Sequence, residues 1–178
     1  LSEIILLSHA KTQAQIKGYF PGNIDLDSNI SFPVDFTMPL NDGILCSDFL
    51  PAVKTAEHLG VPFIIDKNIP VPDYGRWRGL ALKNVQSHEK DHLQQWLQDP
   101  ATNPHGGTSY AKLYQQTEVW IKNYAGQGRI LIITDASVIR MVILTILQAP
   151  LASLFDIDVA PLALIRIVSH HKRWILKF

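Results

Sequence analysis

A chain of 178 residues is long enough for one domain with a substantial core and too short for two of ordinary size; 47% apolar against 18% charged residues marks a globular sequence, not a disordered one. Sixteen basic residues balance sixteen acidic ones, so no net charge draws the chain to nucleic acid or to anionic lipid. The single cysteine, Cys46, excludes an internal disulfide and a thiolate metal cluster, and its setting in "GILCS" reads as a small core residue.

The first element, Ile4 to Leu7, is a continuous apolar run that ends abruptly on Ser8-His9-Ala10. A buried strand ending this way sets an imidazole at the mouth of a sheet. Residues 28–42 contain Pro33 and Pro39, cannot be helical throughout, and read as an irregular loop. Ile44–Cys46 and Phe63–Ile65 are strand-length runs, and Phe49–Leu59 between them carries a helical pattern stopped by Gly60. Glu89–Gln98 reads as a helix ending before Asp99-Pro100. Ser109–Tyr124 reads as a helix with Tyr110, Leu113, Thr117, Trp120 or Ile121, and Tyr124 on one side. Ile130–Ile133 is a further strand, Ser137–Leu147 a helix ending before Pro150, and Leu164–Val168 a strand. The closing "VSHHKRWILKF" reads as a hairpin with His170, His171 and Lys172 at its turn.

This alternation predicts an α/β fold, a three-layer sandwich with a mostly parallel central sheet flanked by helices, over residues 1–178 as a single domain. No apolar run reaches the roughly 18 residues of a membrane span. The longest, Val138–Leu147, is interrupted by Arg140, and no basic leader opens the chain. The expectation is a cytoplasmic protein with no membrane or nucleic-acid partner. Ligands of such sheets sit at the carboxyl ends of the strands. Two ends stand out, Ser8-His9-Ala10 and Thr134-Asp135-Ala136-Ser137. The second leads into a helix whose free N–H groups are placed to help bind an anion.

The blocks "LLSHAKTQAQIKGYFPGNIDLD", "CSDFLPAVKTAEHLG", "DYGRWRG", "PHGGTSYAKLYQQTEVWI" and "IITDASVIRMVI" occur in an order that resembles the histidine phosphatase superfamily, the phosphoglycerate-mutase-like proteins. The resemblance implies an enzyme in which the first-strand histidine takes up a phosphoryl group. Two arginines and a second histidine hold the phosphate, and a carboxylic acid protonates the leaving oxygen. His9 matches the nucleophile. The two arginines fall on Ser8 and Pro51, the second histidine on Asp135, and the acid on Val71 or Thr108. Each lost preorganised donor costs about 100- to 1000-fold in rate. A carboxylate about 4 Å from a phosphate charge repels it by roughly 4 kcal/mol at an effective dielectric near 20.

The expectation is therefore a pseudo-phosphatase that keeps His9, sets Asp135 beside it, and binds a small molecule or a protein partner. Ser8, Thr12, Gln15, His105, Thr108 and Ser137 are the candidate ligand contacts, with no cofactor and no metal. The alternative is a weak or altered phosphomonoester hydrolase acting through a phosphohistidine at His9.

Three other patterns compete. His9 and Asp135 with Ser8, Ser47 or Ser137 suggest a Ser-His-Asp hydrolase, without the Gly-x-Ser-x-Gly elbow that would support it. "HEKDH", His88–His92, matches a zinc-protease motif, but "QSHEKDHLQQWLQDP" reads as a charged surface helix. Lys11, Arg76, Arg78 and Arg140 read as solvated or helix-pairing charges, and not as a rebuilt phosphate clamp. His105 is expected at the pocket rim, and the four tryptophans in or near the core.

Overall fold

The computed structural model describes residues 2–126, 128–170 and 173–178. Strand β1 (Ser2–Ser8) is the spine of the fold, because its residues Ile4 to Leu7 are all fully buried. A short strand β2 (Lys11–Thr12) and helices α1 (Gln13–Lys17) and α2 (Ile24–Ser28) follow, then β3 (Ile30–Ser31), β4 (Gly43–Cys46), α3 (Leu50–Leu59) and β5 (Ile64–Ile65). Helices α4 (Leu82–His88), α5 (Lys90–Gln98) and α6 (Tyr110–Asn123) lead to β6 (Gly128–Thr134), α7 (Ala136–Leu147) and the pair β7 (Leu164–His170) and β8 (Arg173–Lys177). The main sheet has the order β5-β4-β6-β1-β7-β8. β5, β4, β6 and β1 run parallel, while β7 and β8 are antiparallel, so the expected mostly parallel sheet is present.

Alternate residues of β1 serve opposite layers, as the two-residue period of a strand requires. Ile4 and Leu6 join Ile132, Leu113, Ile121 and Ile139 in a core under α6 and α7. Ile5 and Leu7 join Leu131, Ile133, Cys46, Ala52 and Ala56 in a second core under α3. A third cluster, Phe20, Trp77, Val85, Leu93 and Trp96, packs apart from both and gathers α4 and α5. Gly75 makes this packing possible. Its φ of +50° suits glycine, and a Cβ there would lie 2.1 Å from the His105 carbonyl oxygen.

Boundaries follow local chemistry. Gly60 closes α3 in the left-handed region, Ser109 caps α6 by accepting the Lys112 N–H, and Pro150 follows α7 closely. Two expectations need correction. The Glu89–Gln98 helix is present as α5, but the longer surface helix read over "QSHEKDHLQQWLQDP" is broken, because Glu89 leaves helical geometry (φ −135°, ψ 41°) and separates α4 from α5. The connection between the first long strands is also not wholly irregular, since it forms α1, α2 and the β2–β3 pair before the loop at residues 32–42. The closing hairpin is present, although His171 and Lys172 at its turn lie outside the described residues.

Thr55, on α3, links this layer to the strand end. It donates to the Pro51 carbonyl at 2.8 Å and accepts the Ala10 N–H at 2.9 Å, all of it buried. Thr55→Val keeps the shape and strands the Ala10 N–H. The expected loss is about 1–3 kcal/mol in urea unfolding, with no change in the slope of the transition.

Candidate functional site

His9 leaves the end of β1 with its N–H bonded to the Thr134 carbonyl at 3.0 Å, and only 3% of the residue is exposed. Its Nδ1 lies 2.7 Å from the Ala10 carbonyl oxygen. A carbonyl only accepts, so Nδ1 carries a proton and Nε2 is the nitrogen left for another partner. Nε2 meets Asp135 Oδ2 at 3.4 Å. Burial pulls the imidazole pKa down, but the hydrogen bond and charge of Asp135, then the Ala10 carbonyl and Asp27, outweigh it and hold His9 above its ordinary 6.5.

Asp135 is the N-cap of α7, and its Oδ1 accepts the Ser137 N–H at 2.8 Å and the Ser137 hydroxyl. Burial pushes its carboxyl up, yet His9 and Ser137 together hold it below its ordinary 3.8. The N–H groups expected to be free for an anion are thus partly taken by the protein's own carboxylate. That corrects the sequence reading, which had the strand and helix right and missed the cap between them.

Asp27 is a group that the sequence reading missed. It is 3% exposed, its Oδ2 accepts the Gly22 N–H at 2.6 Å, and its Oδ1 is buried with no partner among the described residues. Burial raises its pKa, while the Gly22 hydrogen bond and the charge of His9 oppose the rise. The side-chain charges that act on His9 are those of Asp135 and Asp27, both negative. Phe49 stands 5.8 Å from the imidazole, ring centre to ring centre. Burial and the charge of Asp135 raise the phenol pKa values of Tyr74 and Tyr110, with Arg140 opposing.

The remaining predicted residues divide. Ser8 and Ser137 are buried at the two strand ends, and Pro51 is buried in the first turn of α3. Thr12 and Gln15 are tied to each other in a capping box at the start of α1, the Gln15 N–H reaching Thr12 Oγ1 at 3.1 Å and the Thr12 N–H reaching Gln15 Oε1 at 2.9 Å. His105 is not at an open rim. It is 2% exposed among Tyr74, Trp77 and Trp96, accepts the Gly107 N–H at 2.9 Å, and is pushed below its ordinary pKa by burial. Thr108 and Val71 line a groove of about 940 Å³ with Trp120 and Tyr124, and neither His9 nor Asp135 is among its lining residues.

The competing patterns do not assemble. The Ser137 hydroxyl is bonded to Asp135 instead of the imidazole, and Nδ1 is held by Ala10, so Ser137 is not activated by His9. His88 ends α4 and is bonded to the Asn84 carbonyl, whereas His92 lies in α5. Glu89 between them pairs with Arg76, whose hydrogen bonds hold its carboxyl down to about 2. Among the described residues no group of three or more His, Cys, Asp or Glu could hold a metal ion. Arg76 also reaches the Pro104 carbonyl, Arg78 reaches the Gly75 carbonyl at 3.3 Å, and Lys11 is exposed on β2. No helix among the described residues is long and apolar enough to cross a membrane.

Residues 38–178 match the family model described as histidine phosphatase superfamily, branch 1. The bifunctional protein Rv2228c of Mycobacterium tuberculosis is 25% identical over 119 residues, 64% of this chain and 32% of that protein. The chain thus spans about a third of the length of the curated relatives it matches. The alpha-ribazole phosphatase from Shigella flexneri superposes with a TM-score of 0.76 at 21% identity, covering 98% of this chain and 94% of that one. Bacillus stearothermophilus YhfR gives 0.78 at 16% identity, with 99% and 95% covered. The mycobacterial glucosyl-3-phosphoglycerate phosphatase Rv2419c, in complex with VO3, gives 0.71 at 18%, with 98% and 96% covered. These likenesses show the fold.

Asp135→Asn keeps a good N-cap and removes the charge. The His9 pKa, followed by imidazole NMR, is expected to fall below 6.5, because burial then acts with less opposition. The pair also sets a pH window. His9 contributes stability that is complete below its unfolded pKa and is lost as pH rises through its raised folded value. Asp135 contributes stability that is present above its unfolded pKa and is lost as pH falls through its depressed folded value. Chemical unfolding is therefore expected to show less stabilisation from the pair at about pH 8.5 than at about pH 5, and Asp135→Asn, which takes the His9 pKa below its ordinary value, reverses the sign of the His9 contribution to that difference.

Proposed function

The chain belongs to the histidine phosphatase superfamily, and from that premise we propose that it is a pseudo-phosphatase, a member that binds a small molecule or a protein partner at the His9–Asp135 recess without turning over phosphate esters. The observation that carries this reading is the 3.4 Å contact between His9 Nε2 and Asp135 Oδ2, with Nδ1 already committed to Ala10. Attack on phosphorus requires a lone pair on Nε2. A carboxylate beside that nitrogen favours a second proton there instead, and an imidazolium has no lone pair to give.

Electrostatics argue the same way. A phosphoryl group is transferred by positioning and by neutralising its equatorial oxygens. Here the side-chain charges acting on His9 are two carboxylates, and the resemblance places a serine and a proline where arginines would stand. A dianion entering the recess meets repulsion from each carboxylate. The N-terminus of α7 that would attract it is partly engaged by Asp135, which takes the Ser137 N–H.

A second reading, weak hydrolysis through a phosphohistidine at His9, is favoured by one observation. His9 is still anchored at the end of β1, its backbone N–H on the Thr134 carbonyl and its imidazole Nδ1 on the Ala10 carbonyl. One assay series separates the two. With p-nitrophenyl phosphate and a panel of small phosphate esters, the wild-type protein is expected to match His9→Ala at background. A His9-dependent rate at least about tenfold above that background, with a trapped phosphohistidine, establishes the second reading. Orthovanadate is likewise expected to leave the His9 resonances unmoved.

A further inference from the structure

We infer that the groove between α6 and residues 66–73 binds an extended peptide of apolar and basic character. The groove is separate from the His9–Asp135 contact, since neither residue lines it, and its occupant is independent of the functional reading above.

Shape is the first argument. The groove encloses about 940 Å³, toward the top of the roughly 300–1,000 Å³ range of ligand pockets. It is also long. Its lining starts at Thr108, just before α6, and reaches Gly126, just past it. The 14 residues of α6 measure about 21 Å at 1.5 Å per residue. Six residues of extended chain cover about 20 Å. A compact ligand leaves most of such a trough empty.

The lining supplies what an extended chain needs. Ile69 and Trp120, 2% and 8% exposed, form its base, and Val119 stands in it as an apolar side chain that is 60% exposed. Alternate side chains of a strand point the same way, so every second one of the peptide reaches this base. On the same helix, the side-chain amides of Gln115, Gln116 and Asn123 are exposed and have no hydrogen-bond partner among the described residues. A primary amide carries donors and an acceptor, as a peptide group does, and so pairs with backbone N–H and C=O groups alike. Main-chain bonds of this kind give affinity, and pockets for alternate side chains give specificity.

Charge decides the sign. Among the described residues the charged members of the lining are Asp66, Asp73 and Lys67, and Lys67 Nζ stands 3.9 Å from Asp48. The two carboxylates mark opposite ends. The Asp73 carbonyl accepts the Thr108 N–H at 2.8 Å beside the start of α6, whereas burial and then the charge of Asp66 raise the phenol pKa of Tyr124, the residue that closes α6. Asp66 Oδ1 accepts from Asn68 and Asp73 Oδ1 from the Gly75 N–H, which leaves the second oxygen of each free of hydrogen bonds among the described residues. Cationic side chains at both ends of a peptide match this pattern, and a phosphate ester or an acidic peptide meets it with like charge.

The test uses the designed peptide acetyl-Lys-Val-Thr-Val-Thr-Lys-amide, titrated into isotope-labelled protein and followed by NMR on side-chain N–H resonances. The Trp120 indole N–H and the amides of Gln115, Gln116 and Asn123 are expected to shift together and to saturate with a Kd below about 1 mM. Replacing both peptide lysines by glutamate is expected to weaken binding at least about fivefold, and Val119→Lys, at an exposed helix position, to weaken it at least about tenfold. Asp66→Asn with Asp73→Asn removes the preference for lysine over glutamate, because asparagine keeps the acceptors for Asn68 and Gly75 and loses only the charge. The absence of a saturable shift overturns the site, as do equal affinities for the lysine and glutamate peptides. Unchanged binding in folded Val119→Lys overturns it as well. Shifts produced by methyl glucoside or adenosine, with none from the peptide, make the groove a small-molecule pocket and overturn the peptide assignment.

Discussion

One backbone carbonyl governs the chemistry of this protein. Ala10 accepts from His9 Nδ1 at 2.7 Å, and its own N–H is pinned by Thr55. A carbonyl cannot donate, so this bond sets the tautomer and leaves Nε2 for another partner. Everything about the site then depends on what Nε2 meets. Thr55 lies on α3 and Ala10 follows β1, so the orientation of one imidazole is held by two layers of the sandwich. That is a rigid way to hold a side chain, because moving the ring would break buried hydrogen bonds in an otherwise apolar layer.

What Nε2 meets is a residue with two roles. Asp135 closes the N-terminus of α7 through Oδ1 and faces the imidazole through Oδ2. The cap role ties the carboxylate to the backbone geometry of α7, so it cannot swing away from His9 without exposing helix N–H groups. A local folding device and the polarity of the recess are therefore the same side chain. The buried Asp27 reinforces that polarity from α2, and the cations near the aromatic cluster are bound elsewhere, Arg76 by Glu89 and Arg78 by the Gly75 carbonyl. A fold whose similar solved structures include phosphatases here presents negative charge to its central histidine.

The fold was legible because its signals are local and repeated. Ile4–Leu7 and Ile130–Ile133 are apolar without alternation, as strands buried on both faces must be, and Gly60 and Pro150 stop helices for reasons of backbone geometry alone. The two strand-end residues, His9 and Asp135, were legible for the same reason, since each follows such a strand. Asp27 was not, because "DLDSN" reads as a polar turn and nothing in the segment signals burial. His105 was read as a rim residue because the family resemblance aligns "NPHGGTS" with a loop there. Its environment is instead made by Trp77 and Trp96, which arrive from distant parts of the chain. The break at Glu89 was hidden too, because the segment has helical composition on both sides and the interruption coincides with its ion pair to Arg76.

By itself the sequence determined the alternation of strands and helices, the layering of the sheet, and the placing of a histidine and an aspartate at two strand ends. These follow from hydrophobic periodicity and turn chemistry, which act over a few residues. Only the tertiary structure decided which nitrogen of His9 is engaged, that Asp135 spends one oxygen on a helix cap, and that Asp27 is buried with one oxygen on the Gly22 N–H and the other without a partner among the described residues. Those outcomes depend on distances and burial between segments far apart in the chain, and electrostatic interactions are set by such distances and not by residue type.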